Sequence, residues 1–204
     1  MKAITCKCKN CGVRFIPKRS SLESSCSPKC AIENEQKKFL IKGTPAFKAA
    51  KVEVKIGETR NELQKKINML ARMIDAKYGF VTCIDCNLPM NKQIHGAHFH
   101  QVKGNEQLRF NLHNIHSALS QCNKYSSEHK VGYILGLQKR YGYDYYLFVD
   151  ELPRKYINIH LNAVELKEKL KIVNKLIRDF ETYQTTNAIN ARGIFNKIIQ
   201  IYEK

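Results

Sequence analysis

Two groups of closely spaced cysteines are the residues whose types and spacing most directly predict chemistry. In the first group, two residues separate Cys8 from Cys11 and three separate Cys26 from Cys30. Each short pair can turn tightly around an ion, and two pairs joined by a loop can supply four thiolates to one tetrahedral Zn²⁺. Such a site has no open coordination position, so we expect it to be structural. Cys6 has poorer spacing and is predicted to be a bystander thiol.

The second cysteine group lies among most of the histidines. Cys83 and Cys86 form another close pair, Cys122 follows later, and six of the seven histidines fall between residues 95 and 129. A lone histidine is usually a surface or hydrogen-bonded residue, whereas this clustering beside cysteines favours ion binding or catalysis. His160 lies outside the cluster and is expected to be structural.

Phosphodiester hydrolysis is a reaction that these residue types can support. It needs an activated water, stabilisation of a doubly charged transition state and a protonated leaving oxygen. One imidazole can remove a proton from water near neutral pH. One Mg²⁺ or Mn²⁺, held by few side chains, can neutralise charge and leave room for phosphate.

The charge of the chain indicates its partner. Lys and Arg number 35 against 18 Asp and Glu, a net charge of +17 that is spread along the sequence. This excess predicts salt-sensitive, mostly sequence-independent binding to nucleic acid, although a merely soluble basic protein has the same composition. We expect no membrane span and no secretion signal, since no apolar run approaches about 18 residues. We therefore expect a cytoplasmic protein. Thiols stay reduced in that compartment, so the paired cysteines indicate a metal site rather than disulfides.

Hydrophobic periodicity predicts the helices that position these groups. Pro28 predicts a helix start whose first turn presents Cys30, and Gly79 predicts the end of a later helix. That later helix has one apolar face, formed by Leu63, Ile67, Leu70, Met73 and Ile74. Apolar residues recur at helical spacing from residue 161 to 180. This pattern fits either a helix packed on its own domain or a coiled coil that dimerises the protein. Residues 141–146 predict a strand or turn, and residues 191–202 a final helix.

The order of residues in the second group resembles the HNH, or ββα-metal, nuclease motif. Cys83 and Cys86 are followed by Gly96-Ala97-His98, then Asn114, then Cys122-Asn123. In that motif a zinc-bound knuckle supports a β-hairpin and a helix that enclose a catalytic divalent ion. Asn114 stands eight residues before Cys122, which is the offset that the motif expects.

More closely, the chain resembles the phage NinG (Rap) recombination family. The stretches that carry the resemblance, within roughly residues 6–142, are CKNCGVRFIP, CSPKCA, CIDC, GAHFHQVKGNEQLRFNLHNIH, QCN and YILGLQKRYG. The resemblance implies a role in homologous recombination, with branched DNA such as Holliday junctions and D-loops as the substrate.

The resemblance also implies roles for individual residues. His98 would be the general base, Asn114 would orient the imidazole or the hairpin, and Asn123 would ligate the catalytic Mg²⁺ or Mn²⁺. The candidate DNA contacts are Arg109, Lys103 and Lys124, although packing of the Arg109 stem is an equal alternative.

One departure from the family pattern concerns the second zinc site. The pattern expects a fourth cysteine three residues before Cys122, and that position is Leu119. Either His113 or His116 completes the knuckle, or the zinc is lost and apolar packing holds this region.

A second departure concerns the catalytic ion, because the acidic residue expected just before His98 is absent. His95 or His100 could supply the second ligand, since His98 and His100 share a face on an extended strand. Imidazole ligands would weaken a preference for Mg²⁺. His129, after the site helix, is a minor candidate ligand.

The predicted fold is α+β, built from small zinc-supported modules. An N-terminal four-cysteine finger (1–42) leads through a linker and helix (43–80) to an HNH-like, treble-clef-like ββα-metal core (81–150). A helical C-terminal region (151–204) follows. A homodimer would suit the resolution of a symmetric DNA junction, because that reaction needs two cuts. A recombinase is a further expected partner.

Three functions remain open at this point. The first is a metal-dependent, structure-selective endonuclease that acts on branched recombination intermediates. The second is a non-catalytic zinc-dependent DNA-binding protein whose site has decayed, and the third is a generic HNH endonuclease.

Overall fold

The computed structural model describes residues 5–17, 23–90, 93–125, 129–157 and 159–202, without the side chains of residues 40, 47, 49–51, 54, 123–125 and 129. The chain divides into two compact units, Met1–Lys55 and Ile56–Lys204. Within the described ranges, every helix is too short or too polar to cross a lipid bilayer.

The first unit contains a small hairpin and a helix. Strands β1 (Cys6–Lys7) and β2 (Arg14–Phe15) pair antiparallel. Helix α1 (Pro28–Gly43) begins at a proline, which has no N–H to leave unpaired at this position. Ser27 caps the helix by accepting a hydrogen bond from the backbone N–H of Cys30. The predicted helix start, with Cys30 in its first turn, is confirmed.

Helix α2 (Pro45–Lys77) begins in the first unit and continues far into the second. Its predicted apolar face is confirmed, because Leu63, Ile67, Leu70 and Ile74 are fully buried. The helix ends shortly before Gly79, whose positive φ of 76° suits glycine. Since α2 already begins at Pro45, almost none of the predicted linker remains.

A two-stranded hairpin packs against α2 in the second unit. Strands β3 (Ile94–His98) and β4 (Ile115–Leu119) are antiparallel, with Ile94 opposite Leu119 and His98 opposite Ile115. Helix α3 (Ser120–Tyr125) follows β4 directly, which gives the order strand, strand, helix. Helix α2 and the hairpin approach closely at Gly96, where an added Cβ would lie 2.9 Å from the Cβ of Asn68.

Three further helices cover the other side of this hairpin: α4 (His129–Tyr141), α5 (Tyr143–Asp150) and α6 (Leu152–Lys155). Residues 141–146 are therefore helical around Gly142, and the predicted strand or turn is wrong. Burial explains the difference, since Tyr145 is 6 % exposed and packs into the core.

The C-terminal region consists of helices α7 (Ala163–Arg178) and α8 (Ala188–Ile199). Asn162 and Glu165 form a reciprocal capping box at the start of α7. The buried residues of α7 belong to the same core as those of α2 and α8, which supports the interpretation of α7 as a helix packed on its own domain. Helix α8 begins three residues earlier than predicted, because Asn187 caps it by accepting from the N–H of Asn190.

A buried ion pair joins α2 to α8. The Arg192 guanidinium lies 2.6 Å from the Asp75 carboxylate, and both side chains are fully buried. Arg192 also donates to the carbonyls of Leu112 and Ile115, while Asp75 accepts from the N–H of Ser117 on β4. This network fixes the hairpin between the two helices.

Candidate functional site

The thiols of the first cysteine group converge as the sequence predicts. The sulfur atoms of Cys8, Cys11, Cys26 and Cys30 all lie within 4.8 Å of one another, and Cys6 is not part of the group. The Cys11–Cys26 and Cys26–Cys30 sulfur distances are 3.5 and 3.7 Å. A tetrahedral zinc with bonds of about 2.3 Å separates its sulfurs by about 3.8 Å. The group therefore fits a four-thiolate zinc ion.

Local hydrogen bonds prepare this group to hold a cation. The backbone N–H groups of Cys11 and Cys26 lower the pKa of Cys8 to about 6. Asn10, in the turn between the first two cysteines, donates to Glu33 and accepts from Lys37 on α1. The turn is thus tied to the helix that carries Cys30.

The second group contains three thiols. Cys83, Cys86 and Cys122 lie within 4.8 Å of one another, and the Cys86–Cys122 sulfur distance is 3.4 Å. Leu119 occupies the place where a fourth ligand would stand, and its backbone N–H donates to the sulfur of Cys83 at 3.3 Å. These residues could hold a metal ion through three thiolates.

His98 stands at the end of β3, half-buried, with one ring nitrogen fixed. Its Nε2 lies 3.1 Å from the carbonyl oxygen of Arg109 and 3.3 Å from the side-chain amide of Gln64. The Arg109 carbonyl only accepts, so this shorter contact places the hydrogen on Nε2 and the lone pair on Nδ1; the Gln64 amide nitrogen, itself a donor, then touches the ring without a hydrogen bond. No residue in the described part of the chain hydrogen-bonds to Nδ1. Burial lowers the pKa of His98, against the raising effect of the bond to Arg109.

Asn114 is fully buried and holds the connection between β3 and β4. Its side chain accepts from the backbone N–H of His100 at 2.8 Å and donates to the carbonyl of the same residue at 3.0 Å. A longer bond of 3.4 Å reaches the carbonyl of Leu108. These bonds tie the Asn114 side chain to the backbone of the segment between β3 and β4 and not to the imidazole of His98.

The NinG family model, described as Bacteriophage Lambda NinG protein, matches residues 1–182 of the 204. The chain belongs to the NinG family. Membership implies a phage recombination-related protein, for which interaction with DNA is expected. No curated protein and no solved structure matches the chain.

The two histidines that might have replaced the missing NinG cysteine lie elsewhere. His116 is fully buried on β4 with Nδ1 3.1 Å from the hydroxyl of Tyr133, and the Nδ1 of His113 lies 3.0 Å from that of Tyr145. Neither belongs to the three-thiol group. Burial lowers the pKa of His113 to about 3 and that of His116 well below its usual value. Both are core residues whose burial favours the neutral ring, His116 on β4 and His113 in the turn just before it.

The expectation that His98 and His100 share a strand face is wrong. Strand β3 ends at His98, and His100 lies in the following bend, where Asn114 binds its backbone. The His100 ring donates through Nε2 to the carbonyl of Val149 at 2.9 Å. His95 is half-buried on β3 opposite Ala118. Neither histidine joins a group of three or more metal ligands in the described part of the chain.

The candidate DNA contacts have different surroundings. Arg109 is held by Glu106 through two bonds of 2.8 and 2.6 Å, and its side chain is 18 % exposed. Lys103 is exposed on the turn after β3. Three further candidates, Asn123, Lys124 and His129, have backbones in α3 or α4 but side chains outside the described part.

Sequence reasoning missed Gln64 on α2, whose amide nitrogen lies 3.3 Å from Nε2 of His98. Gln64 lies 34 positions before the histidine and donates its amide to Asn68 at 2.7 Å. It is a half-buried polar residue beside the apolar face of α2, and nothing in its local sequence marks it. Only the packing of α2 against β3 at Gly96 brings the two together.

Proposed function

We propose that this protein is a divalent-metal-dependent endonuclease that cuts branched DNA intermediates of phage recombination, such as Holliday junctions and D-loops. The observation that carries the proposal is the ring of His98 at the end of β3, held through Nε2 at the Arg109 carbonyl and with Nδ1 unbonded to any residue that the structure describes. The strand–strand–helix order of β3, β4 and α3 is the arrangement expected of an HNH-like core. A host cytoplasmic setting accords with the NinG family.

In this mechanism the neutral His98 ring acts as the general base. Nδ1 accepts a proton from a water molecule whose oxygen then forms a bond to phosphorus. The bond from phosphorus to the leaving ester oxygen breaks, and that oxygen takes up a proton from solvent. The bond from Nε2 to the Arg109 carbonyl holds the ring in the required tautomer and stabilises the charge that the ring acquires.

A bound Mg²⁺ or Mn²⁺ would neutralise charge on the phosphate in the transition state. Asn123 on α3 is the candidate ligand from this chain, since its carbonyl oxygen is of the type that hard divalent ions prefer. The thiolates of the two cysteine groups suit zinc instead and would serve structure.

The test compares a labelled four-way junction with a matched duplex in the presence of Mg²⁺ or Mn²⁺. We expect the junction to be cut and the duplex to be spared. His98→Ala should lower the rate of cleavage by about 10²-fold or more and leave the affinity for the junction intact. Free imidazole should partly restore cleavage to this variant, because it can occupy the space of the missing ring.

Two other outcomes would replace this proposal. Binding without cleavage in every metal would indicate a non-catalytic DNA-binding protein, which the replacement of a family cysteine by Leu119 favours. Equal cutting of junction and duplex would indicate a generic HNH endonuclease.

A further inference from the structure

We propose that a cleft in the second unit binds unpaired nucleotides of the branched substrate, and this inference rests on the proposed function for the identity of that substrate. The cleft has a volume of about 580 Å³ and lies between the segment after α6, helix α7 and the residues after α8. Volumes of about 300–1,000 Å³ are typical of sites for molecules the size of a nucleotide.

The walls of the cleft carry the two kinds of group that single-stranded DNA needs. Lys155 and Lys169 supply ammonium groups for phosphate, and the half-buried ring of Tyr156 packs edge-on against the buried ring of Tyr202 with the centroids 4.9 Å apart. Aromatic rings bind bases by stacking, which requires that the bases be unpaired. Glu165 and Glu168 also line the cleft, and carboxylates can accept from the amino groups of bases. The cleft is therefore built for nucleotides rather than for a continuous row of phosphates.

The lysine on α7 is the strongest sign of a ligand. Lys169 is only 7 % exposed although it lines the cleft. The described residues give it one ion pair, at 3.5 Å to Glu168, whose own side chain is 59 % exposed. An ammonium group has three donors, and a buried charge is costly unless it is paired and hydrogen-bonded. Lys169 thus presents its ammonium group at the wall of the cleft, where a phosphate oxygen would accept a hydrogen bond from it.

A second, smaller cavity adjoins the cleft. It has a volume of about 190 Å³ and is lined by Arg60, Arg109 and Phe110. Both cavities share the segment 159–161, and the backbone N–H of Phe110 donates to the Tyr202 hydroxyl at 3.1 Å. His160, expected from the sequence to be structural, is exposed in this shared segment. Arg109 lines this adjoining cavity, where Glu106 pairs with its guanidinium, and its carbonyl oxygen contacts His98.

The test uses a forked DNA that carries 5-iododeoxyuridine in its unpaired arm, without added Mg²⁺ or Mn²⁺ so that no cleavage occurs. Ultraviolet crosslinking followed by mass spectrometry of the peptides should place the adduct on Tyr156 or Tyr202. In parallel, Lys155→Gln and Lys169→Gln should each weaken binding of the fork by about fivefold or more and barely affect a matched duplex.

Matched controls remove the same charge from the same helix. Lys167 and Lys171 are exposed on α7 and do not line the cleft. Lys167→Gln and Lys171→Gln should change fork and duplex affinity equally and only slightly. If Lys169→Gln fails to fold, Lys155→Gln decides the question, because Lys155 is exposed.

Adducts that map outside the cleft, or control variants that weaken fork binding as much as the cleft variants, would overturn this proposal. Its failure differs from that of the nuclease proposal. Junction cleavage with adducts elsewhere removes the cleft alone. Adducts in the cleft without cleavage in any metal support the cleft and remove the nuclease.

Discussion

At the scale of the residue, the pKa of His98 sets the pH dependence of the proposed reaction. A general base must be unprotonated, and burial lowers the pKa of His98 below the usual value of about 6.5. Activity is thus present above the His98 pKa and lost as the pH falls through it. We expect kcat/KM for junction cleavage to stay level from about pH 8 to about pH 6.5 and to decline only at lower pH. If kcat/KM instead falls to half its level at a pH above about 7, another group controls the reaction.

A second residue-scale prediction concerns Leu119 and the three-thiol group. Three thiolates leave one position of a tetrahedral zinc to solvent, so we expect this ion to be lost to a chelator before that of the four-thiol group. The Leu119 backbone contacts Cys83, so Leu119→Cys places a thiol beside the group. Elemental analysis after mild chelation should give one zinc per chain for the natural protein and two for Leu119→Cys. Cys8→Ser is the matched control, since it should reduce only the tightly held zinc.

At the scale of the element, two glycines allow α4 to pack against the loop that carries Cys83 and Cys86. A Cβ at Gly136 would lie 1.8 Å from the carbonyl oxygen of Ile84, and one at Gly132 would lie 2.7 Å from that of Asp85. The helix would have to move away from backbone atoms, which cannot yield as a flexible side chain does.

We therefore expect Gly136→Ala to lower the free energy of unfolding by about 3 kcal/mol. Denaturant titration measures the change. Gly57→Ala on α2 is the control, since a Cβ there meets nothing within 4 Å. It should be neutral or stabilise the protein by up to about 1 kcal/mol, because alanine favours helix more than glycine does. Equal losses in both variants would contradict the close approach of α4.

At the scale of the whole molecule, the ion pair of Arg192 and Asp75 links residues 117 positions apart. Arg192→Met leaves a buried carboxylate without its cation, and we expect a loss of about 3–5 kcal/mol of unfolding free energy. Adding Asp75→Asn should recover part of that loss, because the buried charge is removed. A double variant that is no more stable than Arg192→Met would show that the ion pair is not the source of the loss. Equilibrium unfolding of the single and double variants gives the coupling.

The sequence by itself determined the parts of this protein that depend on short-range spacing. The two cysteine pairs of the first group, the helix start at Pro28 and the buried face of α2 all follow from residues a few positions apart. Such features need only local turn geometry and the period of a helix. Short motifs in a shared order likewise indicated the NinG family, to which the match over residues 1–182 assigns the chain.

Only the tertiary structure decided which histidines are available for chemistry. His98, His113 and His116 are alike in sequence, yet one is held at a strand end while the other two bond to Tyr145 and Tyr133 inside the core. Those tyrosines, Gln64 and the cleft around Lys169 come from distant segments. Which side chains meet there depends on how helices and strands pack, because burial, and not spacing, fixes the protonation and the partners of each ring.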